Sequence, residues 1–216
     1  MRLSFGKILA LAAHLDDVEL GCAGFLSKFR SSAEIHLLAL SRERRNSLGE
    51  VQEVRDLSEA HRATRRMGLK KSSLLVENVP TQLFDSHTQA IREILLHYNK
   101  IIQPDLVLTP SKNDIHQDHR ALCEQAEKVF KRVSLLGYEI VNSSFTFLPD
   151  LFVELSEKDM ARKVAAVSCY KSQMNPSITT ADYFSKQVIE AMAVSRGAKI
   201  GVPYAEAFEV YRFVVR

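Results

Sequence analysis

Two short stretches hold most of the residues in this chain that could do chemistry. The first, LALAAHLDDVELGCAG (9–24), is an apolar run that stops at His14 and is followed at once by Asp16, Asp17 and Glu19. The second, PSKNDIHQDHRA (110–121), supplies Asp114, His116, Asp118 and His119. Imidazole with carboxylate is a donor set that suits zinc, and a catalytic zinc keeps three protein ligands and one position for water. Adjacent carboxylates do not easily turn to one ion. One of Asp16 and Asp17 is therefore expected to ligate while the other takes a proton from water. Either motif alone is a short pattern of low specificity, and a carboxylate at 16 or 17 would also suit a helix start. A cap accounts for one aspartate, not for two beside a histidine.

The two stretches lie roughly a hundred residues apart, so the fold has to join them. Strand-like apolar runs cover 7–13, 34–40, 73–78, 105–110 and 138–141, with helix-like segments at 19–30, 50–68, 87–102 and 117–134. Gly68 fits a C-terminal stop for the second helix. A strand at 152–155, helical stretches at 156–170 and 182–195, and a closing strand at 208–215 follow. This alternation predicts a single α/β domain over 1–216, with a largely parallel sheet covered by helices on both faces. Both stretches then fall at carboxyl ends of strands, where open α/β sheets collect their ligands. Gly21 and Gly24 form GxxG rather than GxGxxG, and the acidic residues before them would repel a pyrophosphate. Close packing of the first helix on the sheet is expected there, with Cys22 as a core thiol.

Composition narrows the class. The chain has 216 residues, 46% hydrophobic and 25% charged, with a formal net charge of +3. That excess is too small to argue for nucleic acid, which calls for a clustered basic face, yet it leaves room for an anionic small substrate. Arg42, Arg44 and Arg45, in the loop expected at 41–50, would suit phosphate or carboxylate. Arg62, Arg65, Arg66, Lys70 and Lys71 read as a solvated helix face and its end. Three widely spaced cysteines fit reduced thiols in a cytoplasmic protein. The N-terminal apolar stretch is short for a signal peptide and lacks a cleavage site. No run approaches the ~20 apolar residues that span a bilayer, so no stable membrane insertion is expected.

AHLDDVELGCAG resembles the AHPDDxExGxGG signature of the LmbE/PIG-L-like family of zinc-dependent N-deacetylases, and NDIHQDH resembles its later (N)DxHxDH element. The likeness continues in VRDLSEAHRATRRMGL (54–69), YEIVNSSFTFLPDLFVEL, YKSQ (170–173) and YAEAFEV (204–210). The resemblance implies a Rossmann-like fold and removal of acetyl groups from N-acetylated amino sugars. Family members act on N-acetylglucosaminyl-phosphatidylinositol, thiol-cofactor precursors and antibiotic intermediates. It also implies one Zn2+ per chain, with Fe2+ as the alternative ion, held by His14, Asp17 and His119. Asp16 would be the general base. His116 would stabilise the oxyanion, as a protonated imidazole, or protonate the leaving amine, with Asp118 orienting it, and Arg55 would touch substrate hydroxyls. Leu15 replaces the usual proline and Ala23 the first glycine of the pair; no ligand is missing. Two other readings stay open: a two-metal phosphoesterase, for which Asp114 and Asp118 are spare carboxylates, and a sugar- or nucleotide-binding module without turnover. A homo-oligomer is compatible with the apolar C-terminal run.

Overall fold

Strand β1 (Lys7–Ala12) sends alternate residues into two separate cores. Ile8, Ala10 and Ala12 enter one apolar cluster, Leu9 and Leu11 the other. A strand apolar on both sides must be covered on both sides, which is why its sequence is an unbroken hydrophobic run. The computed structural model describes residues 4–46, 48–174 and 183–215. After β1 come α1 (Asp17–Phe29), β2 (Glu34–Ala39), β3 (Glu43–Arg45), β4 (Val51–Val54), α2 (Ser58–Arg66) and β5 (Leu74–Val76). Then follow α3 (Thr88–Ile102), β6 (Leu106–Pro110), α4 (Gln117–Val129), β7 (Ser134–Tyr138) and β8 (Leu151–Glu154). The order closes with α5 (Glu157–Val167), α6 (Lys186–Ala198) and β9 (Ala205–Arg212).

The main sheet runs β5-β2-β1-β6-β7-β9-β8. Its first five strands are parallel; β9 is antiparallel to β7, and β8 to β9. Residues of α1, α2, α5 and α6 join the Ile8 cluster, and those of α3 and α4 the Leu9 cluster. Strand order reverses between β1 and β6, which pair directly through Ile8–Leu106, Leu9–Val107 and Ala10–Leu108. That is the switch point at which such sheets leave a crevice. The two chemically loaded stretches leave these two strands side by side. No helix among the described residues is long and apolar enough to cross a membrane.

Several expected elements are different. The helix anticipated over 50–68 begins only at Ser58; before it, β3 and β4 pair as an antiparallel hairpin in place of the loop expected at 41–50. Asn46 makes the turn, its Oδ1 accepting the N–H groups of Leu48 and Glu50 (both 3.0 Å), and Gly49 takes φ +80°. The strand expected at 138–141 lies at Ser134–Tyr138, and α4 stops at Val129 rather than reaching 134. Gly137 inside that strand leaves its Cβ space to the Tyr211 ring. The helix expected from 182 starts at Lys186, and position 182 itself lies outside the described residues.

Helix α1 packs as its glycines suggest. A Cβ at Gly21 would sit 2.1 Å from the Tyr138 ring, and one at Gly24 would sit 2.4 Å from Leu155. The helix is kinked at Cys22 (φ −144°), a core thiol whose pKa burial raises. A buried ion pair serves the freed backbone groups: Lys163 donates to the Leu20 carbonyl (2.8 Å), and Glu206 accepts from the N–H groups of Gly24 (2.9 Å) and Phe25 (2.6 Å). Lys163 and Glu206 are themselves 2.6 Å apart. Glu206→Ala leaves a buried ammonium without its counter-charge and two N–H groups without an acceptor, so unfolding free energy by urea titration is expected to fall by about 3–5 kcal/mol. An unchanged midpoint would show that the pair does not support the kink.

Candidate metal centre

His14 lies in the turn after β1, and Asp17 is the first residue of α1. The turn is closed by Asp17 Oδ2, which accepts the His14 N–H at 2.8 Å, and by Tyr170, whose hydroxyl donates to the Leu15 carbonyl. Leu15, at the family's proline position, is buried, and the turn forms without the ring constraint. His116 precedes α4 as its N-cap, and His119 sits in the first turn of that helix.

These pieces converge on one triangle of side chains. His14 Nδ1 is 3.5 Å from Asp17 Oδ2, His119 Nε2 is 3.4 Å from Asp17 Oδ1, and His119 Nε2 is 3.4 Å from His14 Nδ1. Zinc ligands at about 2.0–2.2 Å in a tetrahedron stand about 3.3–3.6 Å apart; the two histidine nitrogens keep that spacing, and each faces its own oxygen of Asp17, so the set suits an ion held by both imidazoles and this carboxylate. The outer nitrogens also face carboxylates. His14 Nε2 donates to Asp118 Oδ2 (3.1 Å), and His119 Nδ1 lies 3.0 Å from Asp114 Oδ2. Carboxylates behind imidazoles fix ring orientation and raise ligand basicity.

The same carboxylates favour positive charge in this place. Burial lowers the pKa of both imidazoles, yet Asp17 and Asp118 push His14 up to about 10, and Asp17 and Asp114 push His119 up to about 9. Burial acts upward on Asp17, but the facing His119 and His14 hold it well below the usual carboxylate range. A dication would take over the charge that those protons carry. A second group of donors, His14, His116 and Asp118, reuses His14.

Asp16 stands apart from the triangle. It occupies the N-cap position of α1 but makes no side-chain cap; instead its Oδ2 accepts from Arg55 Nη1 at 3.0 Å. Arg55 is buried just ahead of α2, lies over the Tyr170 ring (5.4 Å), and its Nη2 has no partner among the described residues. His116 is tied differently from the expectation. Its Nδ1 accepts the Asp118 N–H at 3.1 Å, so that nitrogen is unprotonated and the neutral ring carries its proton on Nε2. Burial, reinforced by the charges of His14 and His119, holds its pKa down at about 4. The Asp118 carboxylate does not orient His116; it serves His14 and takes the N–H groups of Gln82 (2.7 Å) and Phe84 (3.3 Å).

The cleft in front of these groups measures about 210 Å³ and is bordered by Glu43, Arg44, Arg45, Gln82, Asn142 and Tyr183. Two of the three hairpin arginines reach it, already paired: Arg44 with Glu53 (3.3 Å) and Arg45 with Glu43 (2.8 Å). Arg42 bonds Asn78 instead. Sequence reasoning missed Asp114 as a partner of His119. Asp114 is buried and accepts from Ser143 Oγ (2.8 Å) and the His116 N–H (2.8 Å). It missed Gln82 and Tyr170 as well. Gln82, at φ +67°, acts through a backbone N–H that no sequence motif marks.

A mostly parallel α/β sheet with a buried histidine–carboxylate centre at its switch point defines the general class. Residues 9–130 match the PIG-L family, described as GlcNAc-PI de-N-acetylase, and the chain belongs to that family of deacetylases. The uncharacterized deacetylase YaiS of Escherichia coli (strain K12) is 28% identical over 172 residues, covering 76% of this chain and 90% of YaiS. The conserved protein TT1542 of Thermus thermophilus superposes with a TM-score of 0.73 at 24% identity, covering 97% of this chain and 96% of that one. The N,N'-diacetylchitobiose deacetylase of Pyrococcus horikoshii, in complex with its inhibitor MPG, gives 0.72 at 20% identity, with 95% and 84% covered. These structural likenesses establish the fold.

The carboxylate behind His14 has a measurable consequence. Asp118→Asn is expected to weaken zinc binding about 10–100-fold, read by competition with a chromogenic chelator. Unchanged affinity would separate Asp118 from the centre.

Proposed function

We propose that this protein removes the N-acetyl group from an N-acetylglucosamine-type glycoconjugate, releasing acetate and a free amine, with one zinc ion per chain held by His14, Asp17 and His119. Iron(II) is the alternative ion, since availability as well as affinity selects the metal. The observation that carries the reading is the triangle of His14, Asp17 and His119, in which the imidazole nitrogens stand 3.4 Å apart and face the two oxygens of Asp17 at 3.5 and 3.4 Å, beside a carboxylate that does not belong to it. An ion held there would polarise the amide carbonyl and acidify a water.

The chain's own groups do the rest. Arg55 fixes one oxygen of Asp16, and the carboxylate accepts a proton from the attacking water. Neutral His116 uses its Nε2–H to bond the oxygen on which charge develops, a contribution of about 3–4 kcal/mol. Its Nδ1 is held by a backbone donor, so the ring has no second proton to give. Protonated Asp16 therefore passes the proton to the leaving nitrogen as the C–N bond breaks. Arg55 also borders the cleft, where its guanidinium is the group assigned to a sugar hydroxyl. Glu53 and Glu43 already neutralise Arg44 and Arg45, so neutral glycans are expected to serve as well as phosphorylated ones. Three free cysteines support a cytoplasmic site of action.

The test is an acetate-release screen of zinc-loaded protein over N-acetylglucosamine conjugates, run beside phosphate esters. Acetate release abolished by a chelator supports the proposal. Phosphate release would point to the phosphoesterase, and glycan binding without acetate to a silent binding module.

A further inference from the structure

We infer that Leu20 is the gate that limits the length of the acyl group this site accepts; the inference rests on the deacetylase reading. Leu20 lies three residues beyond Asp17 on α1 and is 8% exposed. It borders the catalytic cleft together with His14, Asp16 and Asp17. It also borders a second cavity of about 30 Å³, walled by Val141, Ile189, Met192, Ala193, Ala205 and Ala207. Its neighbours across the partition divide the same way: Ile140 faces the cleft and Val141 the cavity. Among the described residues Leu20 is the one that the linings of both spaces share.

The chemistry of an amide decides which part of the substrate meets Leu20. With the carbonyl at the donor triangle, two substituents remain, the sugar on nitrogen and the alkyl group on carbon. A sugar ring needs the open side of the cleft, toward Arg44, Arg45 and Gln82. The alkyl group then turns inward, along α1, toward Leu20. An acetyl methyl stops there. A longer chain would need the space behind, where about 10–15 Å³ is enough for one water, so about 30 Å³ has room for added methylenes. The charged groups around that space are paired with each other: Lys163 with Glu206 at 2.6 Å, and Arg196 with Glu139 at 2.5 Å. They leave its lining mainly aliphatic.

The test measures kcat/KM for N-acetyl-, N-butanoyl- and N-hexanoylglucosamine with zinc-loaded wild type, Leu20→Val, Leu20→Ala and the double variant Leu20→Ala/Ala193→Leu. A methylene in an apolar pocket discriminates by about 10–200-fold. Leu20→Ala is therefore expected to raise the hexanoyl-to-acetyl ratio at least about tenfold, with Leu20→Val raising the butanoyl-to-acetyl ratio by less. Ala193→Leu refills the cavity from α6 and is expected to return the ratio toward wild type. Far-UV circular dichroism and zinc content identify any variant that fails to fold, in which case Leu20→Val carries the comparison. A wild type active on the acetyl sugar, with an acyl-length profile unmoved in every folded variant, would overturn the inference. A wild type inactive on all three would instead contradict the deacetylase reading.

Discussion

Asp16→Asn is expected to keep about one zinc per chain and to lose about a hundred- to ten-thousand-fold in kcat. The two adjacent aspartates divide cleanly in space. Asp17 places Oδ1 near His119 and Oδ2 near His14, whereas Asp16 turns to Arg55 and caps nothing. An asparagine there keeps the size of the side chain and an oxygen for Arg55, so the helix start and the triangle are undisturbed. What it loses is the capacity to take up a proton. Elemental analysis, thermal melting and acetate-release kinetics on one preparation check the result. Turnover close to wild type would move the proton acceptor elsewhere. Loss of the metal would put Asp16 among the ligands.

His116→Asn is expected to lower kcat about a hundred- to a thousandfold, the cost of one oxyanion donor, with little change in zinc content. Asparagine is chosen because His116 is the N-cap of α4, and Asn preserves a capping side chain. The pH dependence separates two roles for this ring. An imidazolium acid would impose the alkaline limb of the pH–kcat profile, and its replacement would flatten that limb. The Nδ1 that accepts the Asp118 N–H makes the ring a neutral donor, and burial works in the same direction by lowering its pKa. The profile of the variant is therefore expected to keep its wild-type shape at lower amplitude. A lost alkaline limb would restore the protonated form.

The sequence made the seam of the fold legible because β1 and β6 are apolar on both faces and their carboxyl ends carry the polar clusters. His14, Asp16, Asp17, His116 and His119 could all be placed at one edge from that alone. The hairpin at 43–54 was not legible: Arg and Glu fill it, and Val51 and Val54 also fit a helical spacing. Only Asn46 and Gly49 mark the turn. Strand β7 starts four residues ahead of the expected run because SLLGY continues an apolar pattern that a helix could also carry. The pairing of Asp118 with His14 depends on the rotation of α4 about its axis, which is set by packing rather than by motif. The support of the α1 kink by Lys163 and Glu206 joins residues 143 and 182 positions from their backbone partners, beyond the reach of any local pattern.

The most direct measurement is elemental metal analysis of the untagged protein beside Asp17→Ala and His119→Ala. The structure predicts about one zinc or iron per wild-type chain and loss of the ion in both variants, although the two residues come from different strands' ends. Retention of the metal in either variant, or no uptake by the wild type on reconstitution, would contradict the single shared centre.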